Sequence, residues 1–98
     1  MSMQTAFRRA HDDSEEDTYR QIVDWILHFV VTSKRARNIT PKAQHRFDEF
    51  GLDSIATVKL AVELSEWLSL DVDPVLAFEY PTVEKLARNL ARQIHERG

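Results

Sequence analysis

Residues 53–69 read DSIATVKLAVELSEWLS, and the spacing of their apolar side chains decides the fold. At about 100° per residue, Thr57, Leu60, Ala61, Leu64 and Leu68 share one face, which is the stripe a helix turns towards a core. Asp53 or Ser54 supplies an N-cap, and Gly51 permits a tight approach to it. A helix is therefore predicted from about Ser54 to Ser69. Its second apolar set, Ile55, Val58 and Val62, follows i, i+3, i+7 and points roughly to the opposite side. Such a stripe is either buried beneath a loop or covered by a partner protein.

Upstream, Ser14 followed by Glu15, Glu16 and Asp17 suits the positive end of a helix. Tyr19, Ile22, Val23, Ile26, Leu27 and Val30 then recur at steps of three and four, predicting a helix that ends near Ser33. From Lys34 to Asp53 the period is lost and Pro41 intervenes. This is a long ordered loop, with Phe47 and Phe50 as packing anchors. Downstream, Asp73-Pro74 starts a helix that Pro81 limits to roughly two turns. Thr82 caps the last helix, with Glu84 in its first turn and Val83, Leu86, Ala87, Leu90, Ala91 and Ile94 as its apolar stripe. Arg92, His95 and Arg97 suit its negative end.

Three long amphipathic helices, one short helix and a long first loop predict an all-α four-helix bundle. Met1 to Asp13 lacks an apolar period and is expected to be a flexible leader, so the organisation is leader 1–13 and one domain over 14–97. A length of 98 residues suits a single core, and 43% hydrophobic with 30% charged residues argues against wholesale disorder.

Several functions are excluded or disfavoured. The chain has no cysteine, which removes disulfides, thiolate catalysis and cysteine-bound zinc. His11, His28, His45 and His95 show neither i, i+4 pairing nor a carboxylate at ligand spacing, so no metal site is expected. Asp71-Val72-Asp73 lacks the glycine and later glutamate of a calcium loop and is better explained by capping. Lys34, Arg35, Arg37, Lys42 and Arg46 cluster, yet Asp48 to Glu84 holds nine acidic residues against Lys59 alone. That balance, without an aromatic ladder, argues against nucleic acid. No apolar run reaches the length of a membrane span, so a soluble, cytoplasmic monomer is expected.

Gly51-Leu52-Asp53-Ser54 resembles the attachment motif of acyl carrier proteins, the phosphopantetheine-bearing carrier family. Phe78-Glu79-Tyr80-Pro81-Thr82-Val83 is similar to the Phe-x-Tyr-Pro-Thr run that leads into the last helix of these carriers. Leu60, Leu64 and Leu68 fall where they keep core leucines or aromatics, and the resemblance covers roughly residues 17–95. It implies that Ser54 receives a covalent 4'-phosphopantetheine arm from coenzyme A, through a magnesium-dependent phosphopantetheinyl transferase. The arm would hold acyl groups as thioesters, with Asp53 contacting the transferase or its metal.

The chain would then be a non-catalytic carrier. No base stands beside Ser54 in sequence, and no Gly-x-Ser-x-Gly elbow is present. Leu52-Asp53 looks like the acyl type, because peptidyl carriers more often show Gly-Gly-His-Ser there. Tyr80-Pro81-Thr82 leans towards polyketide and related secondary metabolism over ordinary fatty acid biosynthesis. Glu66-Trp67-Leu68 resembles carriers loaded by fatty acyl-adenylate ligases. The implied partners are the transferase, an acyl-loading enzyme (an acyltransferase or acyl-adenylate ligase), and a ketosynthase or other biosynthetic enzymes.

The docking face is expected on Ile55, Val58 and Val62, with Lys59 at its edge and Glu63 and Glu66 flanking it. Lys59 and Ile55 depart from the glutamate and the leucine or methionine common at those positions, which bears on partner choice. An initiating methionine favours a freestanding carrier over an excised synthase domain. The rival expectation is a helical interaction adaptor or helix-turn-helix module in which Asp53-Ser54 is only a cap.

Overall fold

The computed structural model describes residues 14–32 and 42–96. Within them lie α1 (Glu15–Thr32), α2 (Ser54–Leu68), α3 (Val75–Glu79) and α4 (Val83–Glu96), with a 3-10 turn at Phe47–Phe50. The leader over 1–13, the helix end at Ser33, the loop positions Lys34, Arg35, Arg37, Ile39 and Pro41, and Arg97 lie outside the described residues.

Local chemistry sets each boundary. Ser14 Oγ accepts from the Asp17 N–H at 3.1 Å, which fixes the start of α1. The α2 helix closes through Ser69, a non-glycine residue held left-handed at φ 53°. Ser65 secures that turn, because its Oγ accepts from Val72 N–H at 2.9 Å and donates to the Ala61 carbonyl at 3.0 Å. The left-handed cap is costly for a residue with a Cβ, so these bonds are what hold it. The short helix is tighter than the two turns expected. Pro74 lies just before it in helical geometry, and Asp73 Oδ1 caps Val75 N–H at 3.0 Å.

The core joins all parts of the chain. Ile22, Ile26 and Val30 of α1, Leu60 and Leu64 of α2, and Val83, Leu86 and Leu90 of α4 are all but inaccessible, together with Phe50 from the loop. Burying each such side chain contributes about 1.5–3 kcal/mol by area. Phe47 and Phe50 therefore anchor the loop as expected.

Backbone bonds complete the anchoring. Phe47 N–H donates to the Pro81 carbonyl at 2.9 Å. Val83 and Glu84 N–H donate to the His45 and Ala43 carbonyls at 3.3 and 2.8 Å. The opening N–H groups of α4, which an isolated helix leaves without acceptors, are thus satisfied by the loop.

Candidate functional site

The site forms where the loop turns into α2. Phe47 and Phe50 sink into the core, and Gly51, left-handed at φ 78°, donates its N–H to the Asp48 carbonyl at 3.0 Å and reverses the chain. Leu52 is then buried and Asp53 and Ser54 are left exposed. Alternating apolar anchors and polar residues thus decide which side chains of Gly51-Leu52-Asp53-Ser54 face outward.

Asp53 is an N-cap in the full sense. Its Oδ1 accepts from Ala56 N–H at 2.8 Å, while its carbonyl accepts from both the Thr57 N–H at 2.9 Å and the Thr57 hydroxyl at 2.8 Å. Thr57 is itself buried, so the first turn is held from the core side. Ser54 occupies the first helical position and its hydroxyl has no hydrogen bond among the described residues. Among the described residues, no carboxylate or imidazole is hydrogen-bonded to it that could act as its base. It is a hydroxyl presented to solvent at a capped helix start, whose N–H groups and dipole favour negative charge.

Beside Ser54 opens a groove of about 330 Å³. Phe47, Leu52, Ala77, Phe78 and Pro81 give it apolar walls, and Arg46, Asp48 and Asp53 give it polar ones. Ser54 and Asp53 are themselves among the residues that line it.

The two faces of α2 separate as the spacing required. Thr57, Leu60, Ala61, Leu64 and Leu68 are buried, whereas Ile55, Val58 and Val62 are 82%, 41% and 49% exposed. Burial beneath the loop is therefore not the fate of the second stripe among the described residues. Lys59 lies within 4.0 Å of Glu63, one turn on, and Glu66 is exposed. Val75 and Phe78 of α3 are likewise 53% and 55% exposed, and Phe78 lines the groove beside Ser54. Sequence reasoning missed these two, because a helix of five residues is too short to show a face.

Trp67 has a packing role: its ring stacks on Trp25 at 5.2 Å, and Trp25 stacks on Phe29 at 5.9 Å. His45 accepts the Lys42 N–H on Nδ1 and meets Phe50 edge-on. His28, His45 and His95 belong to no cluster of three metal-ligating side chains among the described residues, and His11 lies outside them. No helix among these residues is long and apolar enough to cross a membrane.

With this geometry in place, comparison with known proteins is informative. A family profile described as the phosphopantetheine attachment site matches residues 34–90. Polyketide synthase PksL of Bacillus subtilis (strain 168) is 29% identical over 83 residues, covering 80% of this chain. The chain spans 2% of the length of that synthase. The fold is similar to the crystal structure of a free-standing peptidyl carrier protein from an uncharacterized Acinetobacter baumannii secondary metabolic pathway. The TM-score is 0.64 and the sequences are 25% identical, with coverage of 83% of this chain and 96% of that one.

Proposed function

The chain belongs to the phosphopantetheine-attachment family of carrier proteins, and from that premise we propose that Ser54 is the residue that receives the arm. The carrying observation is the exposed Ser54 hydroxyl, without a hydrogen bond, at the first turn of α2 beside an apolar-walled groove.

The role of each residue follows from chemistry. Ser54 Oγ attacks the phosphorus on the pantetheine side of the coenzyme A pyrophosphate. The 3',5'-bisphosphate of adenosine leaves, and the hydroxyl proton passes to a base of the transferase, because no described residue of this chain is bonded to Ser54 as a base. Magnesium in that enzyme would balance the pyrophosphate charge, and Asp53, next to Ser54 in the chain, would contact the transferase or that metal. The Asp53 cap holds the first turn fixed, and the helix N-terminus favours the resulting phosphodiester charge. When bound, the arm supplies a terminal thiol that holds an acyl group as a thioester. Ile55, Val58 and Val62, with Val75 and Phe78, form the apolar surface on which partner enzymes settle, and Glu63 and Glu66 steer those with basic rims.

The cargo is of polyketide or related secondary-metabolite type. Leu52-Asp53 and Tyr80-Pro81-Thr82 support it, as does the likeness to a polyketide synthase segment. Loading falls to an acyltransferase or an acyl-adenylate ligase, and consumption to a ketosynthase or similar enzyme. The adaptor or helix-turn-helix alternative is not favoured, since neither accounts for a family profile spanning the attachment motif.

Intact-protein mass spectrometry tests the site. Incubation with coenzyme A, magnesium and a promiscuous phosphopantetheinyl transferase should add one phosphopantetheine to the wild-type chain and none to Ser54→Ala. A full increment on the alanine protein would refute the assignment. Competing malonyl and aminoacyl coenzyme A arms, presented to ketosynthase and condensation enzymes, would then separate polyketide from peptide cargo.

A further inference from the structure

A second groove, of about 390 Å³, runs along α4 and shares no lining residue with the one beside Ser54. Tyr80, Glu84, Lys85, Arg88, Asn89 and Arg92 line it. The spacing 85, 88, 92 sets three cations along one exposed strip of the helix, with Glu84 in the groove and Glu16 of α1 beside Arg88 as the facing carboxylates. Asp48 to Glu84 holds nine acidic residues and Lys59 as its one base, so the three cations of α4 stand against an acidic stretch of chain.

The middle cation is held in place. The Arg88 guanidinium lies 3.7 Å from the centroid of the Tyr19 ring and donates to Glu16 Oε1 at 2.9 Å. It is therefore presented in a fixed pose, and Glu16 shows that a carboxylate fits it. That pair is roughly half exposed on both sides, so a competing carboxylate can exchange with Glu16 at little cost. Lys85 and Arg92 have no side-chain ion pair among the described residues. The groove offers Tyr80 as its aromatic end wall.

We propose that this strip is a second docking surface, which takes an acidic amphipathic segment of a partner protein. Such a segment would set carboxylates on Lys85, Arg88 and Arg92 and an apolar side chain against Tyr80. The charge argues for this occupant: the α2 face, rimmed by Glu63 and Glu66, suits basic partners, and the α4 strip suits the opposite sign. Phe78 of α3 and Pro81 after it line one groove, and Tyr80 between them in sequence lines the other. A partner held on α4 would thus flank the arm-bearing groove without occupying it.

The test uses the full chain and a helical probe peptide with glutamates at i, i+3 and i+7 and leucines between them, compared with its lysine counterpart. Amide NMR titration at low salt should give saturable shifts at Lys85, Arg88 and Arg92 with the glutamate peptide only. The affinity should fall severalfold as salt rises, because the contacts are exposed. Arg92→Glu should weaken it by about tenfold or more, while Arg92→Lys keeps most of it. Absence of α4 shifts, shifts centred on α2, or equal binding of the lysine peptide would overturn the proposal. Tighter binding of a single-stranded RNA or of phosphatidylglycerol vesicles to the same strip would also overturn it. Transferase modification of Arg92→Glu is measured alongside and should be unchanged, so a failure of the Ser54 assignment is read separately from a failure here.

Discussion

Thr18 Oγ1 lies 2.9 Å from His95 Nε2, tying the first turn of α1 to the last turn of α4 across 77 residues of chain. Thr18 is fully buried, and its hydroxyl also lies 3.3 Å from the Ser14 carbonyl. A polar group enclosed between two helices is tolerated because both its contacts are made. Thr18→Val, which keeps the shape and removes the hydroxyl, should cost about 1 kcal/mol in urea unfolding. Because His95 is only partly buried, water can replace the lost partner. A cost above about 3 kcal/mol would mean that the hydroxyl does more than join the helices.

Leu64 lies at the centre of the α2 core face and is fully buried. Leu64→Ala should lower the unfolding free energy by about 2–5 kcal/mol through the cavity it leaves. A loss below about 0.5 kcal/mol, the scale of surface changes, would contradict its placement.

Val62 lies on the exposed face of the same helix. Val62→Asp should change stability by no more than about 0.5 kcal/mol and slow transferase modification at Ser54 severalfold. Destabilisation of about 2 kcal/mol with an undiminished rate would place Val62 in a core instead. Lys59→Glu, at the edge of this face, should strengthen association with partners that present a basic patch, most clearly at low salt.

Asp53 combines a structural bond with a charge, and two substitutions separate them. Asp53→Ala removes the acceptor for Ala56 N–H and should cost about 0.5–2 kcal/mol. Asp53→Asn keeps a competent cap and should stay near wild-type stability. If both variants are modified slowly at Ser54, the carboxylate serves the transferase. If Asn restores the full rate, its role is the cap alone.

Tyr19 carries a pH signature. Burial, and after it the nearby Glu84 carboxylate, raises its phenol above the ordinary 10.0, and Arg88 opposes this only in part. The fold therefore favours the protonated phenol. The stabilisation is fully present below the unfolded value and is lost as pH rises through the raised folded one. Ultraviolet difference titration should show one tyrosine ionising late, and Tyr19→Phe should remove that step. A late step that persists in Tyr19→Phe would overturn the assignment to Tyr19.

Much of this protein was legible in its sequence, because helix period and capping chemistry are local. The stripe Thr57, Leu60, Ala61, Leu64 and Leu68 had one possible burial on a helix of that register, and Ser14, Asp53 and Thr82 announced their caps by residue type. Local chemistry marked Gly51 to Ser54 as a turn and a helix cap, and only its resemblance to the carrier attachment motif pointed to Ser54 as a site. What remained open depended on groups far apart in the chain. Whether Ile55, Val58 and Val62 are covered turns on distant segments, and the described part of the loop is tied elsewhere, by Phe47, His45 and Ala43 bonding to Pro81 and the start of α4. The exposure of Val75 and Phe78, the left-handed Ser69 held by Ser65, and the setting of Arg88 between Tyr19 and Glu16 likewise arise only when distant segments meet. Periodicity assigns each helix a face from its own residues, but which face meets solvent is decided by the neighbours that tertiary packing brings to it.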